Sequence, residues 1–480
     1  IDSNAIDGWP QGPQIYAESA IVMEASSGAI LYNKDMDMKN YPASITKIMT
    51  ALLTLENCSL DETVTYSYNA THTIDAGSSS IYTTEDEQLT VEQSLYAFSL
   101  ESANECANGL AEHVAGSIDA FAEMMNQKAA ELGCTNTHFA NANGLHNDEH
   151  YTSAHDMALI TRAAIQNEDF LRISGTAKYQ MQPTNKRDEI TYMTNHHYMI
   201  APYKGVTKYL DDSVIAGKTG NTSVAKGTLV TVAERNGMTL IVVTMRTQST
   251  GEKGVPLFTD TALLLDYASE NFTRFNVSEN ETNFSVAGSG TSYIGSAIFG
   301  QSKPLIQIDT NAGIVLPNGA SFTDASPELT FQDENTDSDV IASLSYTYNE
   351  EPVGTADISL TKDNLQEFTF DKETDSEETA DTDGTEKPIQ QTHFIKINVR
   401  MILIVAGILL LLFLLYRLLR HLMKTFRFSI HLPKLHRRRA RSRGRRTFFT
   451  GSKTGAKNKH SENRYHRTPK DRGGWDDLDL

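Results

Sequence analysis

Apolar residues dominate positions 15–24 and return at 29–32, with Ser26-Ser27-Gly28 between them, so a β-hairpin is predicted there. From 44 to 55 the apolar positions recur at helical spacing, and 91–115, 120–132 and 154–166 also read as helices. Two further apolar runs, 229–233 and 240–245, flank Arg235-Asn236-Gly237. Asn-Gly suits the two-residue turns whose twist matches a hairpin, so these runs are predicted to be neighbouring antiparallel strands. Residues 15–272 thus read as one mixed α/β domain, preceded by an N-terminal segment, 1–14. Residues 275–370 are rich in Thr, Ser, Asn and Val in short alternating runs such as 343–348, which predicts a small all-β domain.

Beyond that point the pattern changes twice. Residues 371–398 form an acidic linker whose first part (DKETDSEETADTDGTEKP) holds almost no apolar side chain and cannot bury enough surface to fold. A charge-free run of 16 residues follows (MILIVAGILLLLFLLY), beginning at Met401, ending at Tyr416 and flanked by Arg400 and Arg417. Val399, Leu418 and Leu419 lengthen it towards the ~20 residues a bilayer requires, so 399–419 is predicted to be a transmembrane helix. Residues 420–480 are a basic tail.

Charge then orients the chain. From Arg417 to the end there are 19 Lys and Arg against 5 Asp and Glu, a net of +14, which leaves −33 for the rest of a chain whose total is −19. The cluster between Arg437 and Arg446 is expected to stay in the cytoplasm by the positive-inside rule, placing 1–398 outside a single-pass cell membrane protein. The preferred role of the tail is contact with anionic lipid headgroups, ahead of nucleic acid or a cytoplasmic partner. The chain begins Ile1-Asp2-Ser3 without an apolar leader, so an export signal is expected to have been removed already. Hydrophobic residues make up 39% of 480, enough for a sizeable core in two to four domains. Cys58, Cys106 and Cys134 are an odd set, read as mostly free thiols with at most one bridge.

The strongest chemical signal is Ser44-Ile45-Thr46-Lys47. A serine hydroxyl needs a base, and positions i and i+3 of a helix share a face, so Lys47 can reach Ser44. Lysine serves as a base only where burial or a second cation lowers its pKa. Ser102-Ala103-Asn104 supplies a hydroxyl to relay a proton and an amide to hold Lys47 or a substrate carbonyl. Lys218-Thr219-Gly220, ahead of a strand starting near Gly227, supplies the second cation, a hydroxyl for a substrate carboxylate, and a residue that admits a substrate backbone. The backbone N–H groups of Ser44 and Asn221 are the natural oxyanion hole. Each piece alone is weak: Ser-x-Asn recurs at Ser67 and Ser278, and Lys-Thr-Gly at Lys453. The ordered trio in one domain is specific to β-lactamases and penicillin-binding proteins.

Residues 15–272 resemble the low-molecular-mass penicillin-binding proteins, the serine-type D-Ala-D-Ala carboxypeptidases. The resemblance rests on the segment from Tyr41-Pro42-Ala43-Ser44 to Thr50-Ala51, on Thr137-His138-Phe139-Ala140-Asn141-Ala142-Asn143-Gly144-Leu145, on His155-Asp156-Met157-Ala158, and on Gly217-Lys218-Thr219-Gly220-Asn221-Thr222. It implies an α/β (α+β) transpeptidase/β-lactamase-like fold, with an antiparallel sheet flanked by helices. It implies Ser44, Lys47, Ser102 and Asn104 as catalytic, and Lys218, Thr219, Gly220 and Asn221 as substrate-binding. The partners are then peptidoglycan stem peptides and β-lactam antibiotics, and neither metal nor organic cofactor is required. The chain departs from the family at Glu105-Cys106, where Asp-Ala is usual, and at Ala225-Lys226-Gly227, where Ala-Gly is usual. A muropeptide- or penicillin-binding membrane sensor with little turnover is the alternative. Asn141 and Asn143 are read as structural turn residues, and His138, His146 and His155 as structural rather than metal ligands.

Overall fold

The computed structural model describes residues 1–248, 256–282, 306–331 and 339–360. In chain order the elements are β1 Ser19–Glu24, β2 Ile30–Lys34, α1 Lys47–Asn57, β3 Thr63–Thr65, α2 Tyr68–His72, β4 Gln88–Thr90, α3 Val91–Leu100, α4 Asn104–Ala115, α5 Ile118–Glu131, α6 Ala154–Ala164, α7 Glu168–Ser174, β5 Lys178–Met181, β6 Thr191–Thr194, β7 Val214–Thr222, β8 Lys226–Arg235, β9 Met238–Thr247, α8 Pro256–Asn271, β10 Phe272–Asn276, α9 Val277–Asn280, β11 Ile306–Ile308, β12 Gly313–Pro317, β13 Ser326–Phe331, β14 Val340–Tyr348 and β15 Glu351–Leu360.

The central sheet is antiparallel with strand order β2-β1-β9-β8-β7. Asn236 and Gly237 both take positive φ (50° and 75°) in the β8–β9 turn, the backbone an Asn-Gly hairpin needs. Side chains alternate across the sheet with period two. Ile21, Met23, Val230, Val232, Ile241 and Val243 pack beneath α1, α3, α4 and α6, while Ala20, Val22, Leu229, Leu240 and Val242 face α8 on the other side. Because both faces are covered, β1 is buried along its whole length, and each such Val, Leu or Ile contributes roughly 1.5–3 kcal/mol.

Local chemistry sets the helix starts. Thr90 and Gln93 close a reciprocal capping box on α3, and the Ser153 hydroxyl accepts from the Asp156 amide at the head of α6. A second antiparallel sheet, order β10-β12-β15-β14-β13 with β11 on β15, carries the strands between 272 and 360. Its inner residues Ile314, Leu316, Leu344 and Val353 share one hydrophobic cluster with Trp9, α8 and the back of the central sheet. Trp9 joins the pieces, its ring 5.3 Å from Phe272 and its indole N–H donating to the Leu31 carbonyl at 2.9 Å.

Several sequence expectations need correction. Residues 91–115 are two helices, broken at 101–103, where Ser102 takes a left-handed φ of 59°. The helix expected from 44 starts as a 3-10 turn, Ala43–Thr46, before α1. Lys218-Thr219-Gly220 precedes the strand expected near Gly227, which is β8, but itself lies inside a strand that was not expected, β7, the edge of the central sheet. The cysteine reading holds: Cys58, Cys106 and Cys134 are all free thiols. Among the described residues no helix is long and apolar enough to cross a membrane, and the span expected at 399–419, its linker and its basic tail lie outside the described residues.

Candidate active site

The Ser44-Ile45-Thr46-Lys47 turn stands at the head of α1. Ser44 occupies the 3-10 turn and Lys47 is the first residue of the helix, so the i, i+3 relation expected from the spacing places the Lys47 Nζ 3.1 Å from the Ser44 Oγ. Two more acceptors fix that ammonium group: the Asn104 Oδ1 at 2.7 Å and the Asn143 carbonyl at 2.6 Å. Lys47 is fully buried. Burial, and after it the charge of Lys218, drives its pKa well below the ordinary lysine value, with Glu105 opposing.

Lys218 reaches in from β7. Its Nζ donates to the Ser102 Oγ at 3.2 Å and to the Thr219 carbonyl at 2.9 Å. Burial pushes its pKa down to about 7 against the pull of Glu101. The break between α3 and α4 turns Ser102 towards Lys218, while Asn104, at the start of α4, faces Lys47. Glu101 at the same break is clamped by the Thr194 amide at 2.7 Å and the His196 Nε2 at 3.0 Å.

Gly220 allows β7 to lie against the Ser44 turn. A Cβ there would stand 2.9 Å from the Ser44 amide nitrogen, 3.1 Å from that of Ile45 and 2.4 Å from the Thr228 Oγ1. Thr228 also donates to the Pro42 carbonyl at 2.8 Å, tying β8 to the entrance of the turn. Thr219 is buried and Asn221 exposed, next in line along the edge strand. Ser44, Lys47, Ser102, Asn104, Lys218 and Gly220 therefore come together where α1, α4 and β7 meet, with Thr219 and Asn221 beside them along β7.

The structure adds groups the sequence reading did not assign. Asn143 contributes a main-chain oxygen to Lys47, while its side chain donates to the Asn108 Oδ1 and accepts from the Leu145 amide. No side-chain pattern announces a carbonyl ligand; the long motif around Asn141 was the available signal. His150 is buried, accepting from the Ala140 amide through Nδ1 at 2.9 Å and so donating through Nε2 to the Thr46 Oγ1 at 2.8 Å. Burial pushes its pKa down to about 3. Glu105, one residue past Asn104, accepts from the Ser80 hydroxyl and the Ile81 and Thr83 amides, pinning the 80–83 loop beside the site. Asp156 gathers the amides of Thr135 and Asn136 and the Thr137 hydroxyl. His138 bonds the Glu149 carbonyl, His146 lies by Asp148, and His155 by Asp37.

Known proteins share this chain's sequence and fold. It is 32% identical over 261 residues to D-alanyl-D-alanine carboxypeptidase DacF of Bacillus subtilis, covering 53% of this chain and 63% of that protein. It is 31% identical over 258 residues to D-alanyl-D-alanine carboxypeptidase DacB2 of Mycobacterium tuberculosis, covering 53% of this chain and 82% of that protein. The chain thus spans less than two thirds of the Bacillus protein. The crystal structure of the D-alanyl-D-alanine carboxypeptidase DacD from Francisella tularensis aligns with a TM-score of 0.53 at 23% identity, covering 73% of this chain and 94% of that one, a likeness of fold. Residues 8–249 match the model of the D-alanyl-D-alanine carboxypeptidase family, and the chain belongs to that family.

Proposed function

We propose that the chain is a serine-type D-alanyl-D-alanine carboxypeptidase that removes the terminal D-alanine from peptidoglycan stem pentapeptides and is acylated by β-lactams at the same serine. The observation that carries this reading is the buried Lys47 amine 3.1 Å from the Ser44 hydroxyl, with Lys218 as a second buried cation. Neutral Lys47 accepts the Ser44 proton as Oγ attacks the carbonyl of the penultimate D-alanine. The Ser44 and Asn221 amides receive the oxyanion, Lys218 and Thr219 the terminal carboxylate, and the Asn104 amide the acyl chain. Gly220 leaves room for the peptide to lie along β7 as an added strand. Ser102, held by Lys218, passes the proton back to the departing D-alanine nitrogen, and water then cleaves the acyl-enzyme, with Lys47 again the base.

Anchoring by a single span at 399–419, with the catalytic part extracytoplasmic and the basic tail cytoplasmic against anionic lipid, is part of the same proposal. Its support is the charge-free run from Met401 to Tyr416 and the cluster between Arg437 and Arg446.

The test is D-alanine release from diacetyl-Lys-D-Ala-D-Ala by the full chain, beside Ser44→Ala and Lys47→Ala. Release abolished in both variants supports the carboxypeptidase. Labelled penicillin bound at Ser44 without peptide turnover replaces it by a penicillin- or muropeptide-binding sensor.

A further inference from the structure

The two helices that carry Lys47 and Asn104 at their first residues both end at one cluster of metal-binding side chains, far along the helices from the active site. Cys58 caps the C-terminus of α1, its amide bonded to the Thr54 carbonyl at 2.9 Å. His113 lies in the last turn of α4. Glu62 lies in the turn that leads from α1 into β3. The thiol sulfur, a carboxylate oxygen and an imidazole nitrogen lie within 4.8 Å of one another.

We propose that Cys58, Glu62 and His113 form a divalent metal site of the zinc class, completed by water, which clips the C-terminal ends of α1 and α4 together. The donor set is the first argument. Thiolate, imidazole and carboxylate are the three protein ligands of zinc, and three of them plus water make its usual tetrahedron. Bonds of roughly 2.0–2.3 Å place tetrahedral ligands about 3.4–3.7 Å apart, so side-chain movements of about 1 Å close the set.

Orientation is the second argument. The Ser59 amide holds the Glu62 Oε1 at 2.6 Å, which leaves Oε2 directed at the His113 Nε2, 3.0 Å away. That amide is an outer contact of the kind that fixes a metal-ligating carboxylate. The turn is itself anchored: the Glu62 carbonyl accepts from the Val91 amide at 2.9 Å, and the Leu60 carbonyl from the Glu92 amide at 3.0 Å. The ligands therefore sit on a braced backbone. His113 is 25% and Glu62 43% exposed, so an ion has a path from solvent.

The third argument is charge. The Glu62 carboxylate, within 4.8 Å of the Cys58 sulfur, supplies negative charge for a cation. A divalent cation enters as the Cys58 thiol proton leaves to solvent, one proton released per ion bound. The inference stands on this cluster alone and does not depend on the carboxypeptidase reading.

Cobalt(II) is the probe. Titrating the full chain is expected to give one equivalent of bound metal, a near-ultraviolet thiolate-to-cobalt charge-transfer band, and visible bands of four-coordinate intensity. Zinc displaces it and raises the thermal midpoint. Cys58→Ser abolishes the charge-transfer band, His113→Gln weakens affinity at least tenfold, and Cys134→Ser changes neither. Circular dichroism verifies that each variant is folded, and His113→Gln, at an exposed helix end, keeps the test open if Cys58→Ser does not fold. No thiolate band with metal in excess, or a band that survives Cys58→Ser, overturns the proposal and leaves a Glu62–His113 ion pair only.

Discussion

A Cβ placed on Gly144 would stand 2.0 Å from the carbonyl oxygen of Ala43, the residue before the nucleophile. Both residues have left-handed backbones, φ 86° and 52°, so the loop that gives Lys47 its carbonyl partner packs backbone to backbone on the turn that presents Ser44. Gly144→Ala must push the two apart. Acylation by labelled penicillin is expected to slow by about 100-fold or more, the cost of displacing reacting groups by roughly 1 Å. An unchanged labelling rate would show that the close approach does not position Ser44.

The two lysines share one electrostatic field, so their titrations are coupled. Lys47 must be neutral to act as base, and Lys218 charged to hold a carboxylate. In the pH profile of kcat/KM the acid limb belongs to protonation of Lys47, and the alkaline limb to proton loss from Lys218, pushed down to about 7 in the free protein. Lys218→Arg, permanently charged, is expected to remove the alkaline limb. Lys218→Gln removes the like charge that depresses Lys47, so the acid limb moves to higher pH. Profiles unaltered by either change would contradict the assignment.

Asn104→Asp replaces a neutral acceptor 2.7 Å from the Lys47 Nζ with a carboxylate. An opposite charge at that distance stabilises the ammonium form, so the acid limb is expected to rise by about 1–3 pH units with activity at neutral pH lost accordingly. Raising the pH should restore part of it. Penicillin acylation followed over pH gives the measurement, and loss of equal size at every pH would mean that Asn104 acts through substrate contact instead.

Two buried imidazoles contribute to the acid stability. His150 and His197 are both pushed down to about 3 by burial, from 6.5. The unfolded chain then binds more protons than the native one between those values. The contribution of these two imidazoles is complete above pH 6.5 and falls towards pH 3, by up to about 1.4 kcal/mol per pH unit for each group. His150→Gln is expected to flatten the slope of unfolding free energy against pH by one group's share in denaturant melts at pH 4–6. A slope that stays the same would show that His150 is not the group titrating.

Much of this was readable in the chain. Ser44 and Lys47 are three residues apart across the 3-10 turn that opens into α1, so spacing alone predicted their contact, and Asn236-Gly237 announced its hairpin by turn chemistry. What escaped detection has physical reasons. Residues 91–115 keep a helical apolar pattern straight through the break, because Leu100, Ala103 and Ala107 are all buried on both sides of it. The strand character of β7 is hidden by two glycines and a lysine, residues chosen for close approach and charge. The Asn143 carbonyl is invisible because a main-chain ligand leaves no side-chain signature.

The site is also a gauge of folding. The contacts that converge on it join residues 57, 96 and 116 positions apart: Lys47 to Asn104, Lys47 to Asn143, and Lys218 to Ser102. The full set is in place only once α1, α4, β7 and the loop of Asn143 have met, and closing such distant contacts is slow. During refolding, capacity for covalent penicillin labelling should therefore emerge late and in a single step, after helical ellipticity, and no short fragment of the chain should acquire it.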